Sequence, residues 1–286
     1  MSLIERLQAM PTSGCALPFN GFVRFREAGQ TNGQEPVVLM HGIGSGSGSW
    51  VYQLQAAGPR HVLAWDAPGY ADSSPLKSSE PTASDYAHIL WAWLDQMNIE
   101  RVHLVGHSLG CLMAASAARL QPQRIEQLTL LAPAQGYGRA TAEVQAAKKQ
   151  QRLSAMETLG MREMALQRAP RLLSPAADTE HLALAKQMMG QLNVGGYTQA
   201  THMLSVGDIH ADLHAFRAAS AAKITVACGQ ADVITPPAAC QALAKDISAP
   251  YIELRDAGHL CALEAANSIN DLLQLSIPAR PVRRSY

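Results

Sequence analysis

Three residues of the chain have the types that catalysis by a serine nucleophile requires. Ser108 lies in a Gly-X-Ser-X-Gly pattern at residues 106–110. Asp232 and His259 each follow a later apolar run that is typical of a buried strand. A serine hydroxyl is a weak nucleophile that needs a base, and the base needs an acid to orient it. Asp232 and His259 are therefore candidates for the acid and the base, with Asp256 as an alternative acid that we expect to cap the turn before His259 instead.

The sequence around Ser108 predicts a sharp turn from strand to helix. Residues 102–105 are mostly apolar with β-branched valines, and residues 111–118 are rich in helix formers. A chain that passes from strand to helix within one residue forces that residue into a strained backbone conformation. We expect glycine to be required at Gly106 and Gly110 because the backbone segments cross closely there. The turn would hold the Ser108 hydroxyl at the tip of the strand, over the N-terminus of the helix.

The elements that must position these residues predict an α/β fold with a doubly wound, mostly parallel sheet. Strand-like runs alternate with helical patterns, which is typical of a parallel sheet covered on both faces. In such a sheet, functional groups collect at the carboxyl ends of the strands. The predicted strands are residues 21–27 (a half-exposed edge strand), 36–42, 61–66, 102–105, 125–133, 223–229 and 251–254.

One long segment has no strand pattern. Between Tyr137 and Phe216 the pattern is helical only, and the segment holds most of the methionines, which suit an adaptable apolar pocket. We therefore predict a core domain made of residues 1–135 and 217–286, and a helical cap, or lid, over residues 136–216. Residues 1–19 are expected to form an irregular arm, and the basic segment 280–284 a frayed terminus.

Composition limits the classes of partner. Lys and Arg total 23 and Asp and Glu total 23 in 286 residues, so charge gives no argument for a nucleic-acid or membrane partner. No apolar run reaches membrane-spanning length, and no signal peptide is visible. Five scattered cysteines are typical of reduced thiols, so we expect a cytoplasmic protein. Homo-oligomer formation stays open.

Two further patterns have both a structural and a functional interpretation. The glycine-rich loop 42–50 is either a flexible connector or a means of bringing backbone N–H groups near a ligand, and it lacks the residues of a Walker P-loop. His210 and His214 are four residues apart, and His202 lies eight residues before His210. Because no third ligand has a convincing spacing from the His210–His214 pair, a solvated helix face is favoured over a metal site. We therefore predict neither a metal nor a cofactor.

Five motifs in the same order resemble those of the α/β-hydrolase-fold enzymes. They are His41-Gly42, Asp66-Ala67-Pro68-Gly69, Gly106-His107-Ser108-Leu109-Gly110, Gly229-x-x-Asp232 and Gly258-His259. The order serine, acid, histidine is also that of this family.

The resemblance implies the role of each site residue. It implies Ser108 as the nucleophile, His259 as the general base and Asp232 as the acid. It implies an oxyanion hole formed by the backbone N–H groups of Ile43 and Leu109, and a helical cap that shapes the substrate pocket. His41 and His107 are expected to be structural, because such positions in the family bond to nearby backbone.

The same resemblance predicts a cofactor-independent serine hydrolase acting on a small or medium ester or lactone. One alternative is hydrolysis of a carbon–carbon bond in a dienoate from aromatic ring cleavage. Those relatives usually carry a tryptophan after the histidine, where this chain has Leu260. Arg162, Arg168 and Arg171 of the cap could hold a substrate carboxylate, or could simply be solvated. A second alternative is a ligand-binding homologue that turns over too slowly to be an enzyme.

Overall fold

The centre of the molecule is a sheet of eight strands, seen in a computed structural model that describes residues 1–18, 20–30 and 33–275. The strands are β1 (Ser13–Leu17), β2 (Gly21–Ala28), β3 (Val37–Met40), β4 (Val62–Trp65), β5 (Val102–His107), β6 (Ile125–Leu131), β7 (Lys223–Gly229) and β8 (Tyr251–Leu254). Their order across the sheet is β1-β2-β4-β3-β5-β6-β7-β8. The pairs β1–β2 and β2–β4 are antiparallel, and all others are parallel.

Helices cover both faces of this sheet. They are α1 (Leu3–Gln8), α2 (Val51–Gln55), α3 (Ala83–Gln96), α4 (Leu109–Leu120), α5 (Ala142–Arg168), α6 (Thr179–Gly190), α7 (Val194–Val206), α8 (Ile209–Ala219), α9 (Pro237–Asp246), α10 (Cys261–Glu264) and α11 (Ala266–Leu272). Short 3-10 helices lie at Ser47–Trp50, Pro122–Arg124 and Ala169–Leu172.

Alternate residues of the central strands pack against the two helical layers. In β3, Val38 and Met40 belong to the apolar cluster that α3, α4 and α8 share, whereas Val37 and Leu39 belong to the cluster formed with α2 and α11. Successive side chains of a strand point to opposite faces, so a strand buried on both faces has to be apolar throughout. The predicted doubly wound, mostly parallel sheet is confirmed.

The N-terminal prediction is wrong in part. Residues 1–19 are not an irregular arm, because they contain α1 and β1. Ser2 and Glu5 form a reciprocal capping box at the start of α1, whose buried Leu3 and Leu7 pack near the cap helix α6. Strand β1 pairs with β2, so β2 is not the edge of the sheet. Six residues are too few to display helical periodicity, and β1 is specified by its pairing partner more than by its own pattern.

The helical insertion lies between β6 and β7. Residues 137–216, all of which the structure describes, contain no strand. Helix α5 bends at Gly160, whose φ is 71°, and helices α6 and α7 follow it. Leu213 and Phe216 of helix α8 are buried in the same apolar cluster as α4, and so are Met203 and Leu204 of α7. The exact cap boundaries stay a prediction, and the basic segment 280–284 lies outside the described residues.

Candidate active site

Ser108 occupies a strained turn between β5 and α4. Its φ of 52° and ψ of −116° are a conformation that residues with a side chain rarely adopt. The strain is held by the neighbouring backbone: the Ser108 N–H donates to the Leu131 carbonyl at 2.9 Å, and the Ser108 carbonyl accepts from Cys111 N–H at 3.0 Å. Helix α4 begins at the next residue, as the predicted strand-to-helix turn requires.

The two glycines of the motif permit close backbone crossings. A Cβ added at Gly106 would lie 2.7 Å from the Cys111 Cα, and one added at Gly110 would lie 2.2 Å from the Met40 carbonyl oxygen. Both contacts are with backbone, which cannot swing aside. The predicted requirement for glycine at these two positions is confirmed.

Asp232 and His259 are directly hydrogen-bonded. The His259 Nδ1 atom lies 2.8 Å from Asp232 Oδ2. The other carboxylate oxygen, Oδ1, accepts the backbone N–H groups of Ile234 at 2.7 Å and Thr235 at 3.0 Å. The Thr235 hydroxyl donates to Oδ2 at 2.8 Å, so both oxygens are fully engaged in a buried site.

These contacts settle the charge of Asp232 and the tautomer of His259. Burial alone would raise the pKa of Asp232, but the hydrogen bond and charge of His259 and the two backbone N–H groups lower it overall. The carboxylate is therefore ionised at neutral pH and can only accept hydrogen bonds. The shared proton must then be on His259 Nδ1, which leaves Nε2 as the ring nitrogen that can accept a proton in the neutral form.

Asp256, the alternative acid, lies elsewhere. It is exposed in the turn between β8 and His259, with a φ of 54°. The structure therefore brings Asp232, and not Asp256, to the imidazole.

Ser108 and His259 line one cavity of about 510 Å³ at the carboxyl ends of the strands. Among the described residues the two side chains share this cavity without a direct hydrogen bond, a looseness common before substrate binds.

The predicted oxyanion donors line the same cavity. Ile43 follows β3 and Leu109 is the first residue of α4. Within the described ranges, neither N–H donates to a protein acceptor, so both remain available to a ligand. The carbonyl of Ile43 accepts the Tyr70 hydroxyl at 3.0 Å, which holds this peptide in place. Nothing in the local sequence of Tyr70 signals that contact.

The glycine-rich loop is anchored, which favours the second interpretation of it. Asp66, at the end of β4, accepts Ser47 N–H at 2.7 Å and the Ser47 hydroxyl at 3.0 Å. A Cβ at Gly46 would lie 2.9 Å from the same carboxylate. The loop that carries Ile43 is thus tied to the neighbouring strand.

His41 and His107 are structural, as expected. His41 Nδ1–H donates to the Gly42 carbonyl at 2.9 Å, and its Nε2 accepts Ala67 N–H at 3.0 Å. His107 Nε2–H donates to the carbonyl of His259 at 2.7 Å. Burial, followed by the proximity of His259, lowers the pKa of His107 to about 3, so it stays neutral and holds the backbone of His259.

Glu264 joins the His259 loop, residues 255–260 between β8 and α10, to the cap. Its Oε2 accepts Gly258 N–H at 2.9 Å and its Oε1 accepts Ser174 N–H at 2.8 Å. Leu260 N–H donates to the Leu172 carbonyl at 2.9 Å, so the same loop also bonds to the 3-10 helix after α5. Ser174 is 90 residues from Glu264, so no sequence spacing reveals the link.

The cap supplies both apolar and cationic side chains to the cavity. Two of the three predicted arginines, Arg168 and Arg171, line it, whereas Arg162 does not. The remaining cap residues of the lining include Lys148, Gln151, Arg152, Met164, Leu172, Met189, Tyr197 and Leu204.

A group that could hold a metal ion lies on the surface. His210 and His214 of α8 and Asp246 of α9 offer ligand atoms within 4.8 Å of one another. Asp246 is the third partner that sequence spacing did not reveal. His202 lies apart from them, with its Nδ1 3.1 Å from Lys149 Nζ. None of the three clustered residues lines the cavity around Ser108.

The fold belongs to a known class. A family model described as alpha/beta hydrolase fold matches residues 35–266, so the chain belongs to the α/β-hydrolase-fold family. Within the described ranges, no helix is both long and apolar enough to cross a membrane.

Curated relatives have varied activities. The chain is 28% identical over 258 residues to the dihydrolipoyllysine-residue acetyltransferase component of the acetoin cleaving system of Cupriavidus necator, covering 88% of this chain and 66% of that one. It is 38% identical over 105 residues to 2-hydroxy-6-oxononadienedioate/2-hydroxy-6-oxononatrienedioate hydrolase of Cupriavidus pinatubonensis, covering 35% and 36%. The chain thus spans about two thirds or less of the length of these relatives.

Solved structures share the whole fold at low identity. A thermophilic esterase from Thermogutta terrifontis superposes with a TM-score of 0.80 at 21% identity, covering 92% of this chain and 97% of the other. The enol-lactonase from Burkholderia xenovorans LB400 superposes with a TM-score of 0.77 at 24% identity, covering 92% and 98%. Identities this low establish the fold alone.

Proposed function

We propose that the chain is a cofactor-independent serine hydrolase that cleaves a small or medium carboxylic ester or lactone through an acyl-enzyme. The observation that carries the proposal is the bond from Asp232 to His259 Nδ1, beside a strained Ser108 in one cavity. This bond leaves His259 Nε2 as the ring atom that can accept the serine proton. The strained turn presents the serine hydroxyl to the same space.

The reaction follows from these positions in two halves. Ser108 Oγ attacks the carbonyl carbon while His259 Nε2 takes its proton, giving a tetrahedral oxyanion. When the intermediate collapses, the carbon–oxygen bond of the ester breaks and the alkoxide leaves with the proton from His259. Water then attacks the acyl-enzyme with His259 as the base, releasing the acid and restoring the serine hydroxyl.

The N–H groups of Ile43 and Leu109 would stabilise the oxyanion. Each donor of this kind is worth roughly 3 kcal/mol to the transition state. The Leu109 N–H also lies at the N-terminus of α4, where the helix dipole favours negative charge.

A second candidate is hydrolysis of a carbon–carbon bond in a dienoate. It is supported by relatives named as dienedioate hydrolases, which are 36–38% identical over about a third of the chain. Leu260 argues for the ester or lactone, because the carbon–carbon hydrolases usually carry tryptophan at this position.

The experiment compares kcat/KM for p-nitrophenyl butyrate, an enol-lactone and a ring-cleavage dienoate at equal concentration. We expect the ester or the lactone to be the better substrate, and the highest value for the dienoate would favour the second candidate. Ser108→Ala should abolish turnover of all three, whereas Ser154→Ala, on α5 outside the cavity, should leave it unchanged. A burst of nitrophenol without steady turnover would indicate the slow ligand-binding homologue instead.

A further inference from the structure

The charged side chains that line the cavity around Ser108 are positive. Four cationic side chains line it, and no aspartate or glutamate of the described residues does so. Asp232 is hydrogen-bonded to His259 and does not line the cavity. All four cations come from the cap, three from α5 and one from the 3-10 helix that follows: Lys148, Arg152, Arg168 and Arg171.

These cations lack the partners that usually neutralise such groups. None of the four forms an ion pair with a carboxylate in the part of the chain that the structure describes. Arg168 donates from Nη1 to the Tyr197 hydroxyl at 3.1 Å, and Lys148 Nζ lies 5.8 Å from the centre of the Tyr137 ring. Both are contacts with neutral groups, so no carboxylate compensates the positive charge of these four side chains.

Burial separates two of the cations from the other two. Lys148 and Arg171 are exposed, so solvation alone accounts for them. Arg152 and Arg168 are half-buried, one on each side of the Gly160 bend in α5. A guanidinium that is partly removed from water without a carboxylate partner is costly, and an anionic ligand would offset that cost.

The half-buried pair lines the same cavity as Ile43, the predicted oxyanion donor. Tyr197, which holds Arg168, belongs to the apolar cluster against which Ile43 packs. Arg152 lies close enough to Tyr70 to act against the burial that raises the pKa of that phenol. The Tyr70 hydroxyl in turn donates to the Ile43 carbonyl. Arg168 is thus linked through Tyr197, and Arg152 through Tyr70, to residues that contact Ile43.

We propose that the substrate carries a carboxylate apart from the bond that is cut, and that Arg152 and Arg168 bind this carboxylate. The proposal rests on the proposed function for its reaction, but not for the binding itself. Arginine is suited to this role because its planar fork can donate two parallel hydrogen bonds to one carboxylate. Apolar side chains such as Met164, Met189 and Leu204 line the same cavity and suit a short carbon chain between the two ends of the substrate.

The first test compares two esters that differ only in charge. Purified protein is offered p-nitrophenyl butyrate and mono-p-nitrophenyl glutarate, which ends in a free carboxylate. We expect the glutarate ester to have the higher kcat/KM. Arg168→Gln and Arg152→Gln should each lower kcat/KM for the glutarate ester by about 10- to 100-fold, mainly through KM, and lower kcat/KM for the butyrate ester much less.

A matched control separates the cavity from general charge effects. Arg162→Gln removes an arginine from the same helix, but Arg162 is exposed and does not line the cavity. This variant should keep the preference for the charged ester. An equal loss in Arg162→Gln and Arg168→Gln, or a wild-type preference for the butyrate ester, would overturn the proposal.

The second test does not depend on catalysis. Binding of free glutarate to Ser108→Ala protein is measured by calorimetry, with monomethyl glutarate and dimethyl glutarate as ligands of lower charge. We expect glutarate and monomethyl glutarate to bind and dimethyl glutarate, which has no carboxylate, to bind far more weakly. Adding Arg168→Gln to Ser108→Ala should weaken the binding of the first two. Binding without turnover of either ester would refute the hydrolase and keep the anion site, whereas turnover of the butyrate ester without glutarate binding would refute the anion site alone.

Discussion

Replacing Asp232 with asparagine tests the predicted acid with almost no change in side-chain shape. Oδ1 accepts the N–H groups of Ile234 and Thr235 at 2.7 and 3.0 Å, and Oδ2 accepts His259 Nδ1–H at 2.8 Å. Both backbone donors require an oxygen, so the asparagine carbonyl must take the Oδ1 position. The amide NH₂ group then faces His259 and, as a donor, forces the ring proton from Nδ1 to Nε2.

The expected loss of activity is large because this tautomer blocks the reaction. A proton on His259 Nε2 prevents the ring from accepting the Ser108 proton. The same substitution in a serine-protease triad lowers kcat by about 10⁴-fold. That factor corresponds to about 5.5 kcal/mol of activation free energy, at about 1.36 kcal/mol per factor of ten. KM should change little, because Asp232 does not line the cavity.

The assay is steady-state hydrolysis of a nitrophenyl ester, with a thermal melt of each variant to show that it is folded. Asp256→Asn is the matched control, since Asp256 is exposed and is not hydrogen-bonded to the imidazole in the described structure. It should cost less than about threefold, the usual limit for a surface substitution. A folded Asp232→Asn variant that keeps more than about a tenth of the wild-type kcat would refute the argument from the tautomer.

Two further predictions concern stability. Lowering the pH below about 6.5 should lower the free energy of unfolding, because burial lowers the pKa of His103 and His107 to about 3, and the unfolded chain then binds protons that the folded chain does not. Urea unfolding should show a loss of about 2 kcal/mol per histidine between about pH 6.5 and 5. Glu264→Gln should cost about 2 kcal/mol and lower kcat, because glutamine has one acceptor oxygen for the two N–H groups of Gly258 and Ser174.

Each of these two has its own control. His103→Gln should reduce the pH dependence by the share of one histidine, and an unchanged slope would contradict the linkage. Glu157→Gln, an exposed position on α5, should alter neither stability nor kcat. If Glu264→Gln behaves like Glu157→Gln, the bond between the His259 loop and the cap does not support the site.

Local signals made the central features predictable from sequence. A strand that turns into a helix at one residue needs a strained residue between two close backbone crossings. Gly106 and Gly110 indicate these crossings in the sequence itself. An acid follows β7 and a histidine follows β8. Because the carboxyl ends of parallel strands lie at one edge of the sheet, the two side chains are expected to lie close together.

Features that depend on distant contacts could not be predicted. Tyr70 holds the Ile43 peptide, and Glu264 joins two loops, but each resembles an ordinary residue in its own segment. Arg152 has no local mark that distinguishes it from Arg162, and only the bend at Gly160 and the packing of the cap place one inside the cavity and the other outside. Strand β1 likewise depends on its partner β2.

Labelling with a fluorophosphonate tests the central claim most directly, because the reagent phosphonylates only a serine that is activated as a nucleophile. Intact mass and peptide mapping would locate the adduct. We predict one adduct per chain, on Ser108, absent from Ser108→Ala and formed far more slowly in Asp232→Asn. An adduct on another residue, or labelling of the Ser108→Ala variant to the same extent as the wild-type protein, would contradict the assignment of Ser108 as the nucleophile.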